Sequence, residues 1–129
     1  MKISSFKDLE IWKEAIEIAK YVYKIISSSS KFKYDFALKD QALRSSISIA
    51  SNIAEGFERN TNNEFKRYSL IAKGSAGELY TQLHIAKEIG YITDIEFNYI
   101  GNKIILLNQK IGSLIKYLRT HISQHSQRS

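Results

Sequence analysis

The chain has 129 residues, no cysteine, no proline, six glycines and a formal net charge of +6. One domain fits this length. The absence of Cys excludes disulfides, Cys-ligated metal centres and thiol catalysis, and the absence of Pro points to long uninterrupted helices rather than loops or strands. An isoelectric point near 9.5 favours an anionic partner, nucleic acid first.

Charges at Lys7, Asp8 and Glu10 interrupt the start before any signal-peptide core forms. The longest run of large apolar residues, Ile104-Ile105-Leu106-Leu107, is too short to span a bilayer. These features predict a soluble, cytoplasmic protein with no membrane partner.

The first helix is expected at 6–27. Leu9, Trp12, Ile16, Ala19, Tyr23 and Ile26 form one apolar row, and Ile11, Ala15, Ile18, Val22 and Ile25 form a second beside it. Ser5 with Asp8 reads as an acidic variant of the capping box. Ser27 to Ser30 form a polar break.

A second helix is expected at 35–58, with Phe36, Leu43, Ile47, Ala50, Ala54 and Phe57 as its seam and Asn60 to Asn63 as the turn after it. Thr61 and Glu64 then make a capping box for a third helix at 62–89. Its seam is Phe65, Tyr68, Ala72, Ala76, Leu79, Leu83 and Ala86, and Gly90 suits a left-handed helix end. Thr93 and Glu96 repeat the box for a fourth helix at 94–122, with Phe97, Ile100, Ile104, Leu107, Ile111, Leu114 and Leu118 as seam. Residues 123–129 read as a polar, frayed tail. Caps, seams and breakers together predict an all-α, antiparallel up-down four-helix bundle over residues 1–122.

Little in the sequence supports enzyme chemistry, and no cofactor is implied. A di-metal carboxylate bundle needs Glu-x-x-His on two helices, and that motif is absent. Glu10, Glu14 and Glu17 alternate with Lys13, Lys20 and Lys24 as a solvated, ion-paired face. His121 and His125 have metal-ligand spacing, but no third ligand lies nearby in the sequence. His84 stands alone on the third helix. Gly74-Ser75-Ala76-Gly77 lacks the strand context and Gly-Lys ending of a phosphate loop; small residues inside a helix mark close approach by another helix.

Lys66, Lys73, Tyr80 and Lys87 are heptad-spaced and fall within an arc of about 60° at 100° per residue. Lysines neutralise phosphates and a tyrosine stacks on a base, so the arc is a candidate nucleic-acid stripe; the competing reading is an ordinary Lys-rich solvated face. No acid follows Glu96, which leaves Lys103, Lys110, Lys116, Arg119 and Arg128 unopposed in sequence. Tyr99, Leu106 and Tyr117 share a face with Lys103 and Lys110, suited either to a second subunit or to a stacked ligand. On the second helix, Gln41, Ser45, Ser48, Asn52, Glu55 and Arg59 form a polar stripe opposite the expected seam, whose small uncharged side chains suit self-assembly.

Ser48-Ile49-Ala50-Ser51-Asn52-Ile53-Ala54-Glu55-Gly56 resembles the S-I-P-S-N-I-A-E-G signature of the four-helix-bundle proteins encoded in 23S rRNA intervening sequences. Phe6-Lys7-Asp8-Leu9 with Trp12, Gln41 with Arg44, Glu64-Phe65, Ile71 to Ser75, Glu78-Leu79, Thr81 to Leu83 and Ile85-Ala86 through Gly90-Tyr91 extend the likeness over about residues 5–120. The resemblance implies an antiparallel bundle assembled as a homopentamer. The family is also similar to the accessory variability protein of diversity-generating retroelements, a pentameric bundle that binds nucleic acid and a reverse transcriptase. No catalytic residues carry over. Ala50 replaces the signature proline, which predicts a straighter second helix. Three functions stay open from the sequence: a non-enzymatic oligomer that binds structured RNA, a protein–protein interaction scaffold without a nucleic-acid role, and, least supported, a metal or small-molecule bundle enzyme.

Overall fold

The computed structural model describes residues 4–121. It contains four α-helices: α1 (Glu10–Ser28), α2 (Phe36–Glu58), α3 (Asn62–Glu88) and α4 (Asp94–His121). Short 3-10 turns at Phe6–Asp8 and Phe32–Tyr34 precede α1 and α2, and no strand occurs among the described residues. The fold is all-α and consistent with a four-helix bundle. Ile122 and the expected tail, with His125 and Arg128, lie outside the described residues.

Local chemistry sets the helix ends. The Ser5 hydroxyl accepts from the Lys7 amide at 3.2 Å and caps only the three-residue turn. Leu9 is extended, so α1 starts at Glu10 rather than at the expected residue 6. That break lets the Phe6 ring meet Trp12 edge-on, 5.4 Å between centroids. Asp35 caps α2 by accepting from the Leu38 amide at 3.1 Å. Asn60 takes a left-handed φ of 66°, and Thr61 caps α3 through the Glu64 amide at 3.2 Å. At the far end of α3, Gly90 has φ 83°. The Tyr91 amide reaches back to Ala86 O at 2.8 Å and the Gly90 amide to Lys87 O at 3.0 Å, the two bonds of a Schellman end. Thr93 and Glu96 close a reciprocal box at 2.9 and 3.0 Å.

The two connections at one end are tied together. Ser29 Oγ donates to Tyr91 O at 2.8 Å and accepts from the Phe32 amide at 3.0 Å. The Tyr91 phenol donates to Asp35 Oδ2 at 2.8 Å. The serine break after α1 is thus pinned to the α3–α4 link.

The principal packing pairs are α2 with α3, α3 with α4, α1 with α2 and α1 with α4, the first being the tightest and the last the loosest. One apolar core joins all four helices, from Ala15, Ile18 and Val22 through Ile49, Ile53, Leu79 and Leu83 to Ile104, Leu107 and Ile111. Each such large side chain contributes about 1.5–3 kcal/mol when fully buried.

The phase of α2 differs from the expected seam. Phe36 is 63% and Ile47 45% exposed, whereas Ala42, Ser45, Ser46, Ile49, Ala50, Ile53 and Gly56 are buried. The reason is the short distance to α3. A Cβ built on Gly56 would stand 2.8 Å from Tyr68 Cβ, so at this point of the seam only glycine fits without a shift. In α1 the core is the second row from Ala15 to Ile25 together with Ile26 of the first, and Tyr23 of the first row is half exposed. In α4, Ile115 rather than Leu114 is buried.

Candidate nucleic-acid interface

The heptad stripe of α3 faces α4. The Lys73 side chain lies 3.6 Å from the Cβ position of Gly112, and Tyr80 packs edge-on against Phe97 at 5.3 Å. The Lys87 ammonium sits 5.2 Å from the centre of the same Phe97 ring. Lys66 precedes Lys73 by a heptad and shares its flank. On α4, Lys73 shares a shallow hollow of about 370 Å³ with Ile105, Asn108, Gln109 and Gly112. Lys116 follows Gln109 by seven residues and Arg119 follows Gly112 by seven, so helical phase puts both on this same flank. Helical phase therefore sets Lys66, Lys116 and Arg119 on the flank where Lys73 meets α4. Among the described residues none of these four is in an ion pair.

Tyr80 and Lys87 fit this surface less well. Tyr80 is half-buried, with its ring edge 3.3 Å from the Cβ position of Gly101, so the ring is wedged rather than offered for stacking. Lys87 is paired to Glu88 at 3.0 Å. That hydrogen bond holds the Glu88 carboxyl below the usual carboxylate range and the ammonium above its own.

Lys103 and Lys110 go elsewhere. They lie on the opposite flank of α4, facing α1, where Lys110 meets Glu14 at 2.6 Å and Lys103 lies over the Tyr99 ring at 5.1 Å. The run of basic residues that looks continuous in sequence is split between two grooves, because positions 103 and 110 are separated from 116 and 119 around the helix axis. Lys13, Lys20 and Lys24 of α1 join Lys103 and Lys110 there, a grouping that sequence reasoning missed. Asn108 was also missed. It lines both hollows on the α3 side, and its side-chain oxygen is buried without a hydrogen-bond partner. Its spacing of four from the core residue Ile104 was the available signal.

The α2 stripe does not lie opposite the core. Ser45 is 7% exposed, and Ser48 Oγ lies 2.8 Å from Ser75 Oγ of α3. Asn52 Nδ2 donates to Ser48 O and Oγ at 2.8 and 2.9 Å, and Gln82 Nε2 donates to Gln41 Oε1 at 3.4 Å. These polar groups give register to α2 and α3 of one chain. Tyr99, Leu106 and Tyr117 are each half exposed. Tyr99 packs on Tyr21 at 4.8 Å, and Tyr117 stacks on His121 at 3.9 Å. Burial, then Glu96 and Tyr99, holds the Tyr21 phenol above its ordinary pKa.

Among the described residues no cluster of three or more His, Cys, Asp or Glu could hold a metal, and no helix is long and apolar enough to cross a membrane. Fold and surface define an all-α, four-helix protein with a carboxylate-poor basic face on α3 and α4. The sequence pattern of the family described as 23S rRNA-intervening sequence protein matches residues 7–113. The chain belongs to that family. Among solved structures, it is similar to a Bacteroides thetaiotaomicron protein of unknown function from the S23 ribosomal protein family. That likeness has 25% identity and a TM-score of 0.77, covering 82% of this chain and 98% of the other. No curated protein matches.

Proposed function

We propose that this protein is a non-enzymatic, oligomeric binder of structured RNA that contacts phosphates through the α3–α4 face. The observation that carries this reading is the grouping of Lys66, Lys73, Lys116 and Arg119 on one surface without a carboxylate in ion-pair reach. Such cations gain by replacing the counterions of a phosphate backbone. With Tyr80 wedged against Phe97, recognition rests on charge and shape rather than on base stacking. A cytoplasmic location goes with this reading.

The helices are read as antiparallel. Support comes from pairs that step in opposite directions along the chain: Ser48 with Ser75 and Gln41 with Gln82 between α2 and α3, and Glu14 with Lys110 and Tyr21 with Tyr99 between α1 and α4. Assembly as a homopentamer follows from the family resemblance and multiplies weak basic patches into avidity. A face for subunit contact is at hand on α3. Cβ positions at Gly74 and Gly77 meet nothing within 4 Å, and Leu70, Ile71, Ile85 and Ile89 are each 43–51% exposed. The same apolar face favours a second reading, a protein scaffold whose basic surface is incidental.

The deciding experiment is RNA binding against salt, with subunit mass followed by light scattering. The Lys73→Glu, Lys116→Glu double variant is expected to flatten the logarithmic salt slope by about 0.7–0.9 per lost phosphate contact. An unchanged slope, or no binding at low salt, refutes the RNA reading. Retention of a protein partner after nuclease treatment selects the scaffold.

A further inference from the structure

A second groove lies on the other flank of α4. α1 and α4 are the loosest of the principal packing pairs, and an open trough runs between them as two adjoining hollows of about 290 and 320 Å³. Its lining is mostly apolar: Leu106, 56% exposed, forms one wall, the aliphatic stems of Lys13, Lys103 and Lys110 flank it, and the buried Ile18 closes the base. Lysines of α1 from Lys13 to Lys24 line one rim, and Lys103 and Lys110 line the other. The α1 rim is about 16 Å long at 1.5 Å per residue, three turns of helix.

The charges in the trough do not cancel. Glu14 and Glu17 also line it, but Glu14 is taken by Lys110 at 2.6 Å and Glu17 by Lys20 at 3.2 Å. Lys13 is served by Glu10 at 3.6 Å. Lys24 and Lys103 stand on opposite walls of one hollow, and among the described residues neither has a carboxylate partner.

Shape and charge select the occupant. The trough is too open to enclose a small molecule, which buries most of its surface in a pocket. Its apolar floor offers nothing to a sugar–phosphate backbone. Two parallel helical ridges with a gap between them accept a third helix, and the unpaired lysines select acidic flanks. We propose that the α1–α4 trough is a docking groove for an acidic amphipathic helix of a partner protein. Its apolar ridge would rest on Leu106 and the lysine stems beside it, with its carboxylates reaching Lys24 and Lys103. This site is separate from the α3–α4 face and does not depend on the RNA reading.

The test uses a fluorescein-labelled helical peptide of about 16 residues, with Leu at i, i+3, i+4 and i+7 positions and Glu elsewhere. A control peptide has the same composition in scrambled order. Anisotropy titration of the full chain is compared with Lys103→Glu and Leu106→Gln variants whose helicity matches wild type. The expected result is binding of the amphipathic peptide, weakened about tenfold or more by either variant. RNA affinity should stay unchanged in Lys103→Glu. The proposal is overturned by no binding at about 100 µM peptide, a weak affinity by any standard. Equal binding of the scrambled control, or indifference to both variants, overturns it too. A drop in subunit mass in Leu106→Gln would show that a second copy covers the trough. Loss of RNA affinity in Lys103→Glu matching that of Lys73→Glu would give the trough to nucleic acid. Either result also overturns it.

Discussion

Gly56→Ala isolates the close approach of α2 and α3. Alanine is the better helix former by about 0.8–1.0 kcal/mol, so on propensity alone the change stabilises. The tertiary structure opposes it. The new Cβ would stand 2.8 Å from Tyr68 Cβ, 3.1 Å from Phe65 Cδ1 and 3.4 Å from Phe65 Cα. Carbon atoms prefer about 3.5–4.0 Å, and both Phe65 Cα and Tyr68 Cβ are fixed to the α3 backbone. The two helices must part by several tenths of an ångström along the seam that holds the Ser48–Ser75 hydrogen bond. Overpacking of this kind costs about 1–3 kcal/mol. After the propensity gain is deducted, the expected net loss is about 0–2 kcal/mol, a fall in melting temperature of up to roughly 10 °C. Urea titration followed by far-UV circular dichroism measures it. Gly74→Ala is the internal control. Nothing lies within 4 Å of its Cβ position, so it should gain about 0.8–1.0 kcal/mol. Gly74 lies on the α3 face proposed for subunit contact, so both variants and wild type are compared at a dilution where light scattering gives the monomer mass. Equal gains at Gly56 and Gly74 would refute the argument.

Two further outcomes follow from the same contacts. A double-mutant cycle on Ser48→Ala and Ser75→Ala should give a coupling of about 0.5–1.5 kcal/mol, because Ser48→Ala leaves the buried Ser75 hydroxyl without its partner and Ser75→Ala leaves Ser48 Oγ only the Asn52 amide; additive effects would place the two hydroxyls apart. The bond donated to Asp35, then burial, raises the Tyr91 phenol above its unfolded value of 10.0. Its neutral form is favoured in the folded chain, so the stabilisation is complete below pH 10.0 and is lost as pH rises through the raised value. Tyr91→Phe should therefore destabilise at neutral pH, and its deficit should shrink in strongly alkaline urea titrations. A deficit constant with pH would remove the link to Asp35.

Most of the all-α reading was legible because its signals are local. The Thr61 and Thr93 caps, Gly90 and the seams of α3 and α4 depend on residues within one or two turns, and the chain meets those demands wherever the helix packs. The second helix was less legible. Ranking residues by apolar size gave Phe36 and Ile47 to the core, whereas the core took Ser45 and Ser46, and Gly56 where α3 lies too close for a side chain. The candidate site divided in the same way. Heptad spacing found the α3 stripe, since Lys66 and Lys73 sit on one helix. It could not show that Tyr80 is wedged, that Lys87 is paired, or that α4 sends Lys103 and Lys110 toward α1.

Without proline or cysteine, and with apolar residues at helical spacing, the sequence by itself determined that the chain is helical, where three of the helices start and that its surface is basic. Those properties are set by nearest neighbours and by a sum over side chains. Only the tertiary structure decided which lysines stand together and which are cancelled by a carboxylate from another helix. Glu14 and Lys110 are 96 positions apart in the chain and 2.6 Å apart in space. The physical reason is that an ion pair is counted across the gap between helices, and no spacing within one helix encodes that distance.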